Sequence, residues 1–364
     1  MISFELTEEQ ELVRDAMRNF AAEAMRPLAR ECDETESLPD AFLHQVWELG
    51  LTSTQIPEVY GGGGEERSPV TNAIVLEELA HGDAALAIAA VAPSLFANAL
   101  VDHGTEEQKQ AHLPAFCGDA YHTGSLALIE PGALFDPRRL RTVAEPKGQG
   151  FVLSGAKSFV PLGDRASHFL VIARNNGDTD AFIVPRDARG LRISETEKNL
   201  GLRALPTHGL ELERVEVGPE SRLGGNDGCN VRRLLDNSRA ALAVVMVGLS
   251  RAVLEYCVPY AKDREAFDEP IAKKQAIAFL LAEMHIEVES SRWLAWQAAS
   301  HLEKGHAVTR SAHMAYRYAS EKSMWVADNG VQVLGGHGFI REHPVELWFR
   351  HARTLGVLEG TVAL

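Results

Sequence analysis

Glu359 stands near the end of the chain in an apolar stretch, Thr354-Leu355-Gly356-Val357-Leu358-Glu359. A carboxylate in such surroundings suits the removal of a weakly acidic proton, because burial raises its proton affinity and makes it a better base. Upstream, Asp236-Asn237-Ser238-Arg239 sets a carboxylate and a guanidinium one helical turn apart. Arg239 can donate a fork of hydrogen bonds to a carbonyl or phosphate oxygen, or pair with Asp236 along the helix. A lone Gly335-Gly336 means little by itself, although glycines let backbone N–H groups approach a ligand closely. Arg138, Arg139 and Arg141 form a basic cluster that reads first as a solvated loop and second as a ligand-phosphate contact. The four cysteines form no CxxC pair and the 14 histidines no HExxH, so no metal site is expected. This cysteine usage fits a reducing cytoplasm.

The elements that must position these groups follow a helix–strand–helix order. The chain has 364 residues, 45% hydrophobic and 24% charged, as expected of a multi-domain globular protein. The net charge, 36 − 51 = −15, argues against broad contact with nucleic acid or an anionic membrane. The N-terminus lacks the basic and apolar pattern of a signal peptide, and no apolar run is expected to span a bilayer. Thr7-Glu8-Glu9-Gln10 and Thr105-Glu106-Glu107-Gln108 both have capping-box form. A further helix carries Phe42, Val46, Trp47 and Leu49, and residues 68–102 read as buried helix. Over 122–225 short apolar runs alternate with Gly, Pro, Asp and Asn, which predicts an antiparallel sheet or barrel. Residues 231–262 and 271–304 predict long helices that pack as a bundle. The expected fold class is α+β: an N-terminal helical domain (1–121), a middle antiparallel β-domain (122–225) and a C-terminal four-helix bundle (226–364).

Several segments in this order resemble the acyl-CoA dehydrogenase family. They are Leu6-Thr7-Glu8-Glu9-Gln10, Pro57-Glu58-Val59-Tyr60-Gly61-Gly62, Glu130-Pro131-Gly132-Ala133, Leu200-Gly201-Leu202-Arg203, Arg264-Glu265-Ala266-Phe267, Gln332-Val333-Leu334-Gly335-Gly336-His337-Gly338-Phe339 and Glu359-Gly360-Thr361. The resemblance covers nearly the whole chain. It implies FAD as cofactor, an acyl-CoA or acyl-carrier thioester as substrate, electron-transfer flavoprotein as electron acceptor, and a homotetrameric, cytoplasmic enzyme of fatty acid metabolism. It makes Glu359 the base that removes the α-proton while the β-hydrogen leaves as hydride. It also implies that the flavin ribityl chain and the Glu359 N–H polarise the thioester oxygen. Some relatives carry the base just before the arginine of the first long C-terminal helix. That position is Ser238 here, which cannot serve.

The same resemblance assigns Asp236, Arg239 and Phe135 to the substrate side. It assigns Arg264, Phe267, Gln275, Gln332, Gly335 and Gly336 to the FAD of a neighbouring subunit, and Phe159 and Thr361 to the cofactor held by the chain itself. Departures fall on the flavin side. Ile129, Leu134 and Phe135 replace a hydroxyl, a glycine and a hydroxyl, while Phe159-Val160-Pro161 replaces Trp-Ile-Thr. Three side-chain donors are thereby lost. At ~1 kcal/mol each they amount to about two orders of magnitude in affinity, which predicts weaker, partly occupied FAD. His351 stands where relatives commonly carry Asp. Two other readings follow from these departures. One is a cofactor-deficient partner subunit of a hetero-oligomer. The other is a non-redox acyl-thioester enzyme that keeps Glu359.

Overall fold

The computed structural model describes residues 5–133 and 135–364. Thr7 caps α1 (Glu8–Phe20) with a complete capping box, Gln10 N–H to Thr7 Oγ1 at 3.2 Å and Thr7 N–H to Gln10 Oε1 at 3.1 Å. The helix continues through a π-turn at Ala21–Met25 into α2 (Arg26–Thr35), beyond the stripe read from sequence. After α3 (Asp40–Glu48) come α4 (Pro69–Gly82) and α5 (Ala84–His103), two helices where one apolar stretch had suggested continuous helix. Asp83 divides them, because its carboxylate caps α5 by accepting from the N–H groups of Ala85 and Leu86. Thr105 and Gln108 make the second capping box, at the start of α6 (Glu106–His112).

The middle of the chain is a seven-stranded sheet. Its strands are β1 (Ser125–Ala127), β2 (Val143–Lys147), β3 (Gly150–Pro161), β4 (His168–Asn175), β5 (Asp178–Pro185), β6 (Leu191–Thr196) and β7 (Thr207–Val217). The order is β1-β4-β2-β3-β7-β6, with β5 on β4. Four ladders are antiparallel, as expected. The exceptions are β1, which runs parallel to β4, and a single parallel pair between β2 and β4, Val143–Arg174. A long connection rather than a hairpin brings β1 to β4, so the turn geometry does not force the antiparallel sense.

The C-terminal part is α7 (Val231–Asp263), a small hairpin of β8 (Glu265–Ala266) and β9 (Glu269–Pro270), α8 (Gln275–Glu303), α9 (Thr309–Leu334) and α10 (Val345–Leu355). α7 packs against α4, α8 and α9 and so joins the two helical regions. Buried Glu77 and Glu78 on α4 reinforce the joint through ion pairs with Arg251 on α7, Arg292 on α8 and Arg18 on α1. By length and composition α5 and α7 could each cross a membrane, which corrects the expectation that no apolar run is that long. Their most apolar windows are 89% and 78% buried inside the fold, as in core helices. One apolar cluster draws Leu95 and Phe96 from α5, Leu126 and Leu128 from the β1 segment, Leu170 from β4, Leu234 and Leu235 from α7, and Ala363. All three regions meet there, and the candidate site lies beside this junction.

Candidate active site

α10 delivers the chain to Glu359. Tyr316 on α9 fixes the delivery by donating to the carbonyl of Leu358 at 2.7 Å. Burial raises the pKa of its phenol, with the charge of Glu359 adding to the effect. The next residue, Gly360, has φ +70°, and an added Cβ would lie 2.9 Å from Leu126 and 3.0 Å from Leu128. Only glycine turns the chain this tightly against the β1 segment. Glu359 itself is half-buried, and its carboxylate is not surrounded by apolar groups alone as the sequence suggests. Arg239 Nη2 on α7 donates to both oxygens, at 3.1 and 2.9 Å. Both side chains are mostly covered, at 15% and 18% exposure, so water screens the pair poorly. Both oxygens are therefore engaged by the guanidinium, and each keeps further lone-pair capacity for a proton.

Asp236 is the second charge on Arg239, 3.7 Å from Nη1, and it also accepts from Thr309 Oγ1. At 1% exposure it supports Arg239 and offers no open surface to a substrate. Ser238 Oγ, Arg239 Nε, Asp236 Oδ1 and Thr361 Oγ1 are buried without a hydrogen-bond partner. Such orphans are uncommon in a folded chain, and their bonding is open to completion by water or a ligand.

Phe159 lies at a bulge in β3 between Lys157 and Val160, with φ +53°. A bulge re-aims a side chain, and here Phe159 and Phe135 both pack on the core of the helical regions. Glu197 holds the bulge by accepting from Phe159 N–H at 3.0 Å and Ser158 Oγ at 2.7 Å. Pro161 is buried and pairs with Thr207, and Ile129 is 7% exposed, so neither offers a side-chain donor at the junction. Leu134 lies outside the described residues. Beneath this strand Lys157 is buried on the Leu128 carbonyl and Glu130. Burial brings the Lys157 amine down to about 8. The Glu130 carboxyl is pushed up by burial, yet Lys157 and the neighbouring Thr142 and Arg141 donors hold it at about 2. Arg141 donates its N–H to Glu130 and its guanidinium to the Pro131 carbonyl, and Arg138 pairs with Asp136. Two members of the basic cluster are thus committed within the chain.

The remaining predicted residues lie elsewhere. Arg264 ends α7, 25 residues past Arg239, which at 1.5 Å per residue is roughly 37 Å away. Phe267 is 89% exposed, and Arg264, Gln275, Gln332, Gly335 and Gly336 are also exposed. A Cβ added at Gly335 or Gly336 would meet nothing within 4 Å. Arg264 is too distant to serve the Glu359 site of its own chain, but this open surface is free to meet the site of another.

His351 went unexplained by the sequence. It is 1% exposed; its Nδ1 accepts from Leu202 N–H at 2.9 Å and its Nε2 lies 3.2 Å from Asp83. The acceptor role of Nδ1 places the proton on Nε2, which donates to Asp83. His351 thus ties α10 to the cap of α5 and to the Leu200–Arg203 loop, which Thr354 also holds through Gly201 N–H. The signals for this lie 149 and 268 residues away in the chain, beyond local reading.

Comparison with known proteins agrees with this architecture. The acyl-CoA dehydrogenase N-terminal, middle and C-terminal domain families match residues 7–119, 125–215 and 226–364. A mitochondrial short-chain specific acyl-CoA dehydrogenase of Bos taurus is 34% identical over 369 residues, covering 99% of this chain and 88% of that protein. The butyryl-CoA dehydrogenase structure from Megasphaera elsdenii superposes with a TM-score of 0.90 at 30% identity, covering 99% and 96% of the two chains. A glutaryl-CoA dehydrogenase from Mycobacterium smegmatis in complex with FADH2 shares the fold, with a TM-score of 0.87 at 24% identity over 98% and 92%. The chain belongs to the acyl-CoA dehydrogenase family, and its function is that of a dehydrogenase. FAD is the family's cofactor.

Proposed function

We infer that this chain dehydrogenates an acyl thioester between its α- and β-carbons, with Glu359 as the α-proton base. The observation that carries this is the placement of the Glu359 carboxylate at the three-domain junction, on Arg239 and among orphaned buried polar groups. The residues present fit FAD. Thr361 Oγ1 is an unpaired buried donor on the near side, while Arg264, Gln332, Gly335, Gly336 and exposed Phe267 form an open surface for the phosphate and adenine end of a neighbour's cofactor. When bound, FAD supplies the hydride acceptor. The protein's own part is positional. Tyr316 and Gly360 fix the base, Arg239 compensates its charge until a thioester arrives, and the surrounding apolar cluster excludes water. Electrons then leave to an electron-transfer flavoprotein.

The exposed surface argues for assembly. Phe279 and Ile286 lie seven residues apart on α8 at 58% and 60% exposure, and Met314 on α9 is 47% exposed. A second reading, the partner subunit of a hetero-oligomer, is favoured by the contrast between the intact Arg264 surface and the donor-free Ile129, Phe135 and Pro161. The experiment is anaerobic addition of butyryl-CoA to the purified chain reconstituted with FAD. Bleaching at 450 nm supports the dehydrogenase. A chain that retains no FAD alone and acquires it only with a related second chain supports the partner reading. An oxidised, fully loaded chain that never bleaches with any acyl-CoA overturns the first.

A further inference from the structure

The bulge that carries Phe159 is held from outside its own strand. β3 and β6 both pair with β7, and both ladders shift register opposite Gly209, between the pairs made by Leu210 and those made by His208. Beyond the shift β3 meets β7 through only two pairs, Val160–His208 and Pro161–Thr207. Pro161 has no N–H to give, so this short end of the ladder holds the bulge weakly. Phe159 nonetheless stands at φ +53°. A bulky residue persists at positive φ only where its surroundings over-determine it.

Glu197, just past β6, supplies that constraint. Its Oε2 accepts from the Phe159 N–H at 3.0 Å and from the Thr207 hydroxyl at 2.8 Å, and its Oε1 accepts from the Ser158 hydroxyl at 2.7 Å. The Glu197 N–H donates to the Thr207 carbonyl at 2.8 Å, and Asn199 Nδ2 donates to the Thr207 hydroxyl at 2.8 Å. The Ser158 N–H goes to the Ile129 carbonyl at 2.9 Å. One carboxylate thus reaches past the end of β7 and takes the N–H that the bulge would otherwise strand. The ring so fixed is half-buried against the core of the helical regions, which leaves part of it open to a ligand.

We propose that Glu197 is a positioning residue for the flavin: its carboxylate holds the β3 bulge in the conformation that presents the Phe159 ring to the cofactor. The proposal rests on the flavoenzyme reading above. Ile129, Phe135 and Pro161 offer the cofactor no side-chain donor, so a fixed aromatic surface is what this strand contributes. Such a surface adds affinity when it is already oriented before the ligand arrives.

The test is a cycle of Glu197→Ala and Phe159→Leu in the full chain, with Glu197→Gln beside it. FAD affinity is measured by titrating the apoprotein, and the order of the bound flavin by its visible circular dichroism. The proposal expects Glu197→Ala to weaken FAD roughly tenfold and to alter the dichroism. Glu197→Gln should recover most of both, because its amide oxygen accepts from the Phe159 N–H while the hydroxyls can turn to meet its NH2. With Phe159→Leu already present, Glu197→Ala should weaken FAD by about twofold or less, since the group it acts through is gone. A carboxylate that merely stabilises the sheet would cost the same in both backgrounds. That result, or affinity and dichroism unchanged in Glu197→Ala, overturns the proposal and leaves the flavoenzyme reading intact. Where Glu197→Ala does not fold, Glu197→Asp carries the same predictions in milder form. A parent chain that binds no FAD overturns both the proposal and the reading beneath it.

Discussion

His351 and Asp83 offer a quantitative test of how Glu359 is positioned. The two side chains are 1% exposed and 3.2 Å apart. Burial raises the pKa of the Asp83 carboxyl, but His351 and the Leu86 N–H more than offset it and hold it below its ordinary value. Removing the imidazole takes from a buried carboxylate a hydrogen bond to a charged group, worth about 1.5–3 kcal/mol. His351→Leu also strands the Leu202 N–H, so a loss at the upper end of that range is expected. Asp83→Asn keeps an oxygen for the α5 cap, removes the charge and turns an amide NH2 toward the His351 Nε2–H, so about 2–3 kcal/mol is expected. With both changes the stranded charge is gone, and the losses should fall short of additive by about 1–3 kcal/mol. Urea titration of the four proteins measures this. The reasoning is refuted if Asp83→Asn costs the same, within about 0.5 kcal/mol, in both backgrounds. His351 also anchors α10, so His351→Leu should reduce turnover more than it changes KM.

Two further outcomes follow. Burial, reinforced by His112 and His122, brings the His168 imidazole from 6.5 down to about 4. Between those values the unfolded chain binds a proton that the folded chain refuses, so this stability is complete above about pH 6.5 and is lost as pH falls toward 4. Melting temperatures of His168→Phe should therefore fall less steeply than the parent's over that interval, and parallel curves would contradict the assignment. Arg264→Ala removes an exposed cation, so the melting temperature of the apoprotein should barely move. FAD retention should drop by roughly tenfold to a hundredfold, measured as flavin per chain after dialysis, because a charge-assisted phosphate contact is worth about 1.5–3 kcal/mol.

Local chemistry was readable in the sequence wherever partners are close in the chain. Thr7 and Gln10, or Thr105 and Gln108, lie three residues apart, and both capping boxes form as the residue types require. Leu210, Leu212, Val215 and Val217 nearly alternate with glutamates in the sequence, and the first three form the buried face of β7 while Val217 is half-buried. The order of segments identified the family and with it the three-part fold. Partners distant in the chain were not readable. The Arg239–Glu359 pair spans 120 residues, so an apolar local segment suggested a dry carboxylate where the fold supplies a guanidinium. The division of one apolar stretch by Asp83 was signalled by Gly82-Asp83, but its apolar flanks masked the signal. The parallel pairing of β1 with β4 left no local trace, because no turn joins the two strands.

The central claim is that Glu359 removes the α-proton, and deuterium exchange reads that step without requiring the complete reaction. An acyl-CoA whose β-position cannot yield a hydride, such as a 3-thia analogue with sulfur in place of the β-carbon, is incubated with the FAD-loaded protein in D2O and followed by NMR. The account predicts α-deuteration by the parent and a loss of about 10²–10⁴-fold in Glu359→Gln, with the melting temperature and the binding of CoA retained. Exchange in Glu359→Gln within a few-fold of the parent would contradict it and would place the base elsewhere.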